Sequence, residues 1–126
     1  MPTLATAGFP SPAADELDDE IDLRDLLMPR PGSTFWFRVD GECLHDAGIL
    51  DGDYVAVDKS VQAKIGHVAL CLLDGDFMLK VLGHDGNGKR CLKTADREGR
   101  DRIIPFREGM SIEGVVVSVM RSGVRA

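Results

Sequence analysis

Two apolar runs, His67–Leu73 and Phe77–Leu82, stand on either side of Asp74-Gly75-Asp76. A linker this short, with a glycine free to take positive φ, forces the runs to pair as an antiparallel hairpin. The rest of the chain from Thr34 onward is built from similar pieces. Phe35-Trp36-Phe37-Arg38-Val39 is aromatic and stops at Asp40-Gly41. Tyr54-Val55-Ala56-Val57 follows Asp51-Gly52 with the alternation of a half-buried strand. Gly83–Lys89 reads as a turn cluster, with shorter strands near 90–94 and 101–104. Gly114-Val115-Val116-Val117-Ser118-Val119-Met120 is a β-branched strand. Many short strands separated by turn signals predict a compact, mostly antiparallel β domain.

Residues 1–33 form a different region, an N-terminal arm, and 34–126 form the β body. Pro10 and Pro12 hold the residues before them extended. An acidic stretch then runs from Asp15 to Asp25, in which the aspartates favour caps and turns over helix interior. A short helix near 22–28 is expected, capped by Asp22, with Leu23, Leu26 and Leu27 as its apolar face and Pro29 and Pro31 ending it. At 126 residues the chain has the length of one domain. A net charge of −6 argues against a dedicated nucleic-acid binder, which needs clustered Lys and Arg to displace counterions. No apolar run approaches the ~20 residues of a membrane span, and the N-terminus lacks the pattern of a signal peptide. Three scattered cysteines give neither a disulfide framework nor zinc spacing, so no metal or other cofactor is expected and a cytoplasmic, reduced protein is.

The candidate nucleophiles and bases are few. Free cysteine is among the most buried residue types, and Cys71, within the hairpin, reads as core. Cys91 lies in a short strand near basic residues. Cys43 stands in Gly41-Glu42-Cys43-Leu44-His45-Asp46, where His45 invites a Cys-His reading that sequence proximity alone does not support, because catalytic pairs must converge in space. His67 and His84 read as strand-start and turn residues, and Ser60 as a turn residue after a strand. Lys80 is more informative. It interrupts the apolar run Phe77–Leu82 and shares one strand face with Met78 and Leu82. A lysine there either snorkels to water or is held out of it, and a desolvated amine can serve a nucleophile as base without any histidine.

Three segments in order resemble the LexA/UmuD self-cleaving peptidase family of the S24 type. Gly8-Phe9-Pro10-Ser11-Pro12-Ala13-Ala14-Asp15 is similar to the segment following the self-cleavage site in the UmuD branch. Gly41-Glu42-Cys43-Leu44, followed in register by Gly48-Ile49-Leu50-Asp51-Gly52-Asp53, stands where the family has Gly-Asp-Ser-Met. Asp74–Lys80 resembles the strand that carries the general-base lysine. The resemblance implies a LexA/UmuD C-terminal (signal-peptidase-like) fold, Cys43 as nucleophile, Lys80 as base and Ala7–Gly8 as the scissile bond, with N–H groups of Gly41 and Cys43 at the oxyanion. Cysteine replaces serine, Glu42 replaces aspartate, Leu44 replaces methionine, and Cys91–Asp96 lacks the family's Pro-x-Asn pattern. For a free thiol beside a free lysine side chain, proton transfer to the amine is favoured roughly a hundredfold, so a thiol nucleophile is chemically reasonable here.

The function so implied is that of an SOS-response accessory subunit of an error-prone translesion polymerase, activated by cutting itself. Its partners would be a second copy of itself, the RecA filament on single-stranded DNA and a Y-family DNA polymerase. No helix-turn-helix segment precedes the β body, so sequence-specific DNA binding is not expected. The competing expectation is a protease-inactive homologue that serves the same response as a dimeric protein-binding module. A general thiol protease ranks third, because a tethered arm supplies its own substrate at high effective concentration.

Overall fold

The computed structural model describes residues 22–42, 44–95 and 102–123. It opens with helix α1 (Leu23–Leu27), whose N-cap Asp22 accepts from the Arg24 N–H at 3.0 Å. The helix stops at Met28, ahead of Pro29. Its leucines do not form a buried face: Leu23 and Leu26 are each 62% exposed. At five residues the helix is held by its ends instead, through Ser118 Oγ donating to the Leu27 carbonyl and Trp36 Nε1 donating to Met28 Sδ.

Seven strands follow: β1 (Thr34–Arg38), β2 (Tyr54–Asp58), β3 (Val68–Leu73), β4 (Asp76–His84), β5 (Arg90–Lys93), β6 (Ile103–Pro105) and β7 (Met110–Met120). They form one sheet in the order β1-β2-β7-β3-β4-β5-β6, antiparallel at every pairing. The mostly antiparallel β fold expected of a LexA/UmuD C-terminal domain is therefore what the chain adopts.

The hairpin is where the sequence put it, with a tighter turn. Leu73 pairs with Asp76, leaving Asp74 and Gly75 as a two-residue loop with φ of 51° and 91°. Positive φ at both positions is the type I′ signature, whose twist matches that of the flanking strands. The Asp74 carboxylate is gripped by both terminal nitrogens of Arg107, and its N–H donates to the Gly109 carbonyl. That guanidinium holds the Asp74 carboxyl below the usual carboxylate range. β4 runs on through His84, so His84 ends a strand and the turn is shorter than expected. Asp85 organises it by accepting from the N–H groups of Asn87 and Lys89.

β7 is longer than its β-branched part and lies in the middle of the sheet. Its register slips twice: Val117 is the extra residue against β2, and Glu113 the extra residue against β3. Such bulges bend a strand and increase its twist. Apolar side chains are covered on both faces, Leu44, Ile49, Val55, Val57 and Leu70 in one cluster and Ala69, Cys71, Leu82 and Leu92 in another. Burial of both faces explains why β3 reads as an unbroken apolar run.

Where β2 ends, the buried Asp58 ties down the segment before β1. It accepts from Ser60 Oγ at 2.7 Å, Ser60 N–H at 2.8 Å, Ser33 Oγ at 2.8 Å and Arg30 Nη1 at 3.3 Å. Ser60 is thus a turn residue with a structural job. These donors, Ser60 Oγ foremost, hold the Asp58 carboxyl down at about 2, against the opposing effect of burial. Because the folded value is depressed, the stabilisation is fully present above the unfolded value and disappears as pH falls toward about 2. Asp58→Asn is accordingly expected to lower the urea midpoint at neutral pH, with the gap to wild type closing between about pH 5 and about pH 2. A gap that is constant across that range would refute the ionic origin.

Candidate active site

The segment joining β1 to β2, Val39–Asp53, contains Cys43 and closes on itself. The Val39 N–H donates to the Asp53 carbonyl and the Gly52 N–H to the Val39 carbonyl, each at 2.8 Å. This makes it a compact loop with adjacent ends. Gly41 has φ of 103°, a conformation that favours glycine. Its N–H, expected at an oxyanion, donates instead to the Asp51 carboxylate at 2.9 Å. A single 3-10 turn, His45–Ala47, follows Leu44 and ends at Gly48, whose φ is 83°. Leu44 and Ile49 are 4% and 2% exposed and anchor the loop in the core. The Asp46 N–H donates to the Ala95 carbonyl, tying the turn to the chain just beyond β5.

The far end of the loop is fixed by charge. Asp53 is wholly buried, and its carboxylate accepts from the Leu50 N–H at 2.8 Å and from Arg121 Nε and Nη2 at 2.7 and 2.6 Å. Arg121 Nη2 also donates to the Gly48 carbonyl at 3.2 Å. Nothing in the sequence singled out Arg121, which follows β7 and lies far from the loop in the chain.

Lys80 sits in the middle of β4, opposite Ala69 on the face that Cys71 shares. It is 9% exposed, so it does not snorkel to water. Cys71 is a core thiol, as expected: burial pushes it up to about 11, with the Lys80 charge pulling the other way. A thiol so placed is a poor nucleophile. Cys91 is buried as well. His67 takes a turn role, accepting from the Lys64 N–H through Nδ1. His45 Nδ1 lies 3.4 Å from the Asp46 carboxylate, its own sequence neighbour.

A cavity of about 450 Å³ joins the two candidate segments. One wall is the end of β1 with Val39, Asp40, Gly41 and Leu44; the other is Leu70 and the β4 residues Phe77–Lys80. Gly41 and Leu44, described residues on either side of position 43, and the lysine therefore border the same space. Cys43 itself and the Ala7–Gly8 bond lie outside the described residues.

The peptidase S24-like family matches residues 1–117. The chain is 40% identical to protein ImpA of Salmonella typhimurium over 76 residues, covering 60% of this chain and 52% of ImpA. It is 35% identical to protein MucA of Escherichia coli over 112 residues, 88% of this chain and 75% of MucA. It is also 35% identical to the LexA repressor of Shewanella piezotolerans over 118 residues, 93% of this chain and 56% of that repressor. The chain thus spans about half the length of ImpA. A seven-stranded antiparallel sheet, a lysine buried in its hairpin and a family match across nearly the whole chain lead to one conclusion: this chain belongs to the peptidase S24-like family.

Proposed function

We propose that this chain is a UmuD-like SOS-response protein that cuts its own arm at Ala7–Gly8, with Cys43 as nucleophile and Lys80 as base. The observation that carries the reading is the burial of Lys80 at a cavity bordered by Gly41 and Leu44. The thiolate of Cys43 would attack the Ala7 carbonyl, and the protonated Lys80 amine would deliver a proton to the departing amine of Gly8. Water would then release the Ala7 acyl group from sulfur. With the Gly41 amide engaged by Asp51, the Cys43 N–H is the oxyanion donor to test first. In this reading residues 1–33 are the processed arm and 34–126 the body. The body would pair with a second copy, meet the RecA filament and serve a Y-family polymerase in translesion synthesis.

Incubation at alkaline pH, or with RecA, single-stranded DNA and ATP, should yield a fragment starting at Gly8 by intact mass spectrometry. A chain that stays intact while its Cys43→Ser variant is cut rules out cleavage by the thiol. A protease-inactive binding module is the second reading, favoured by cysteine at the serine position and by the exposed Leu23, Leu26, Tyr54 and Met120. It requires that Cys43→Ala leave polymerase binding and mutagenesis unchanged.

A further inference from the structure

We infer that Arg121 is a positioning residue for the nucleophile loop, acting through Asp53 and Gly48 to fix Gly41 and Leu44, described residues on either side of position 43. The inference rests on the self-cleavage reading above. Arg121 directly follows β7, whose last residue, Met120, pairs with Tyr54 at the start of β2, so its backbone starts beside Asp53 at the far end of the loop. From there Nε and Nη2 reach the two oxygens of the fully buried Asp53, and Nη2 also reaches the Gly48 carbonyl. Charge-assisted bonds in a two-pronged fork fix orientation as well as distance, which a lysine cannot reproduce.

The bonds of the loop carry that constraint toward residue 43. Gly48 ends the His45–Ala47 turn, and its N–H donates to the His45 carbonyl. The Leu44 carbonyl accepts from the N–H groups of Ala47 and Ile49. Leu44 is the residue after Cys43 and is buried. On the other side, Asp51, two residues before Asp53, holds the Gly41 N–H. One guanidinium therefore holds the turn behind position 43 directly, and reaches the carboxylate in front of it only through the two-residue step from Asp53 to Asp51. A displacement of about 1 Å at a reacting group can cost on the order of a hundredfold in rate, so a clamp remote from the chemistry can control it.

The test uses the full chain with Arg121→Lys, Arg121→Met and the double variant Asp53→Asn/Arg121→Gln, which leaves no lone buried carboxylate. Each is assayed well below its melting midpoint by circular dichroism, for self-cleavage by intact mass. The rate of Cys43 alkylation by iodoacetamide is followed across a pH series and located by peptide mapping. We expect cleavage per folded molecule to fall about tenfold or more in Arg121→Met and the double variant, and less in Arg121→Lys. The pH profile of Cys43 alkylation should shift with it, which a purely stabilising role would not cause. Wild-type cleavage and an unchanged Cys43 profile in the folded double variant would overturn the inference. If the wild-type chain does not cleave, the protease reading falls, and the alkylation profiles alone decide the role of Arg121.

Discussion

Lys80→Met is expected to slow release of the fragment starting at Gly8 by about 10²- to 10⁴-fold, the usual contribution of a positioned acid–base group. The fold should survive the change. Methionine keeps an unbranched stem of similar reach, and the position lies opposite Ala69 beside Cys71, on the strand face that leads to Leu82. Removing an ammonium that is only 9% exposed takes away a desolvation cost, so the melting midpoint should hold or rise. Activity lost with stability kept separates a chemical role from a packing one. Intact mass after alkaline incubation, with a melting curve on the same sample, reads both. Cleavage at the wild-type rate would remove Lys80 from the mechanism and return attention to His45, two residues from Cys43 in sequence. A melting midpoint that drops sharply would instead mark Lys80 as a structural residue whose amine has a partner in the fold.

What the sequence disclosed and what it withheld follow from the range of the interactions. The β3–β4 hairpin was legible because its determinants are local: an Asp-Gly pair that accepts positive φ between two apolar runs. Strand alternation likewise places Lys80 with Met78 and Leu82, and capping chemistry places α1 after Asp22. The beginning of β7 was not legible. Met110-Ser111-Ile112-Glu113 alternates apolar and polar as a strand does, but the run is short and the bulge at Glu113 breaks the alternation before the β-branched residues. The end of β4 differs from expectation at Gly83–His84: a glycine usually signals a turn, whereas here β5 pairs with the strand through both residues. At the site, the motif around Cys43 and the lysine were visible as segments. The Asp51–Gly41 and Asp53–Arg121 contacts were not, because aspartates in a glycine-rich stretch read as turn formers. The partner of Asp53 lies 68 residues away, and no local pattern announces it.

Gly114→Ala is expected to destabilise the domain, although exchanging glycine for alanine in a strand ordinarily helps. A Cβ built at Gly114 would lie 2.6 Å from Val57 Cγ1 and 3.1 Å from the Asp58 carbonyl oxygen. Val57 is completely buried, so its methyl group has nowhere to go, and the carbonyl belongs to the strand itself. Overpacking of this kind costs about 1–3 kcal/mol. The gain from restricting the unfolded chain is about 0.4–1 kcal/mol, too small to reverse the sign. A loss of about 1 kcal/mol lowers Tm by a few degrees in a domain of this size, so thermal melting resolves the effect. The clash also predicts its own remedy. Val57→Ala alone leaves a cavity and destabilises, but combined with Gly114→Ala it removes the methyl that the new Cβ strikes, so the double variant should lose less than the two single losses added. Strict additivity would mean that the strain lies in the backbone near Asp58 rather than against Val57, and a Gly114→Ala chain melting at or above wild type would mean that β7 moves to accommodate it. Movement of β7 would also reach the site, because Gly114 pairs with Leu70, which lines the cavity beside Lys80.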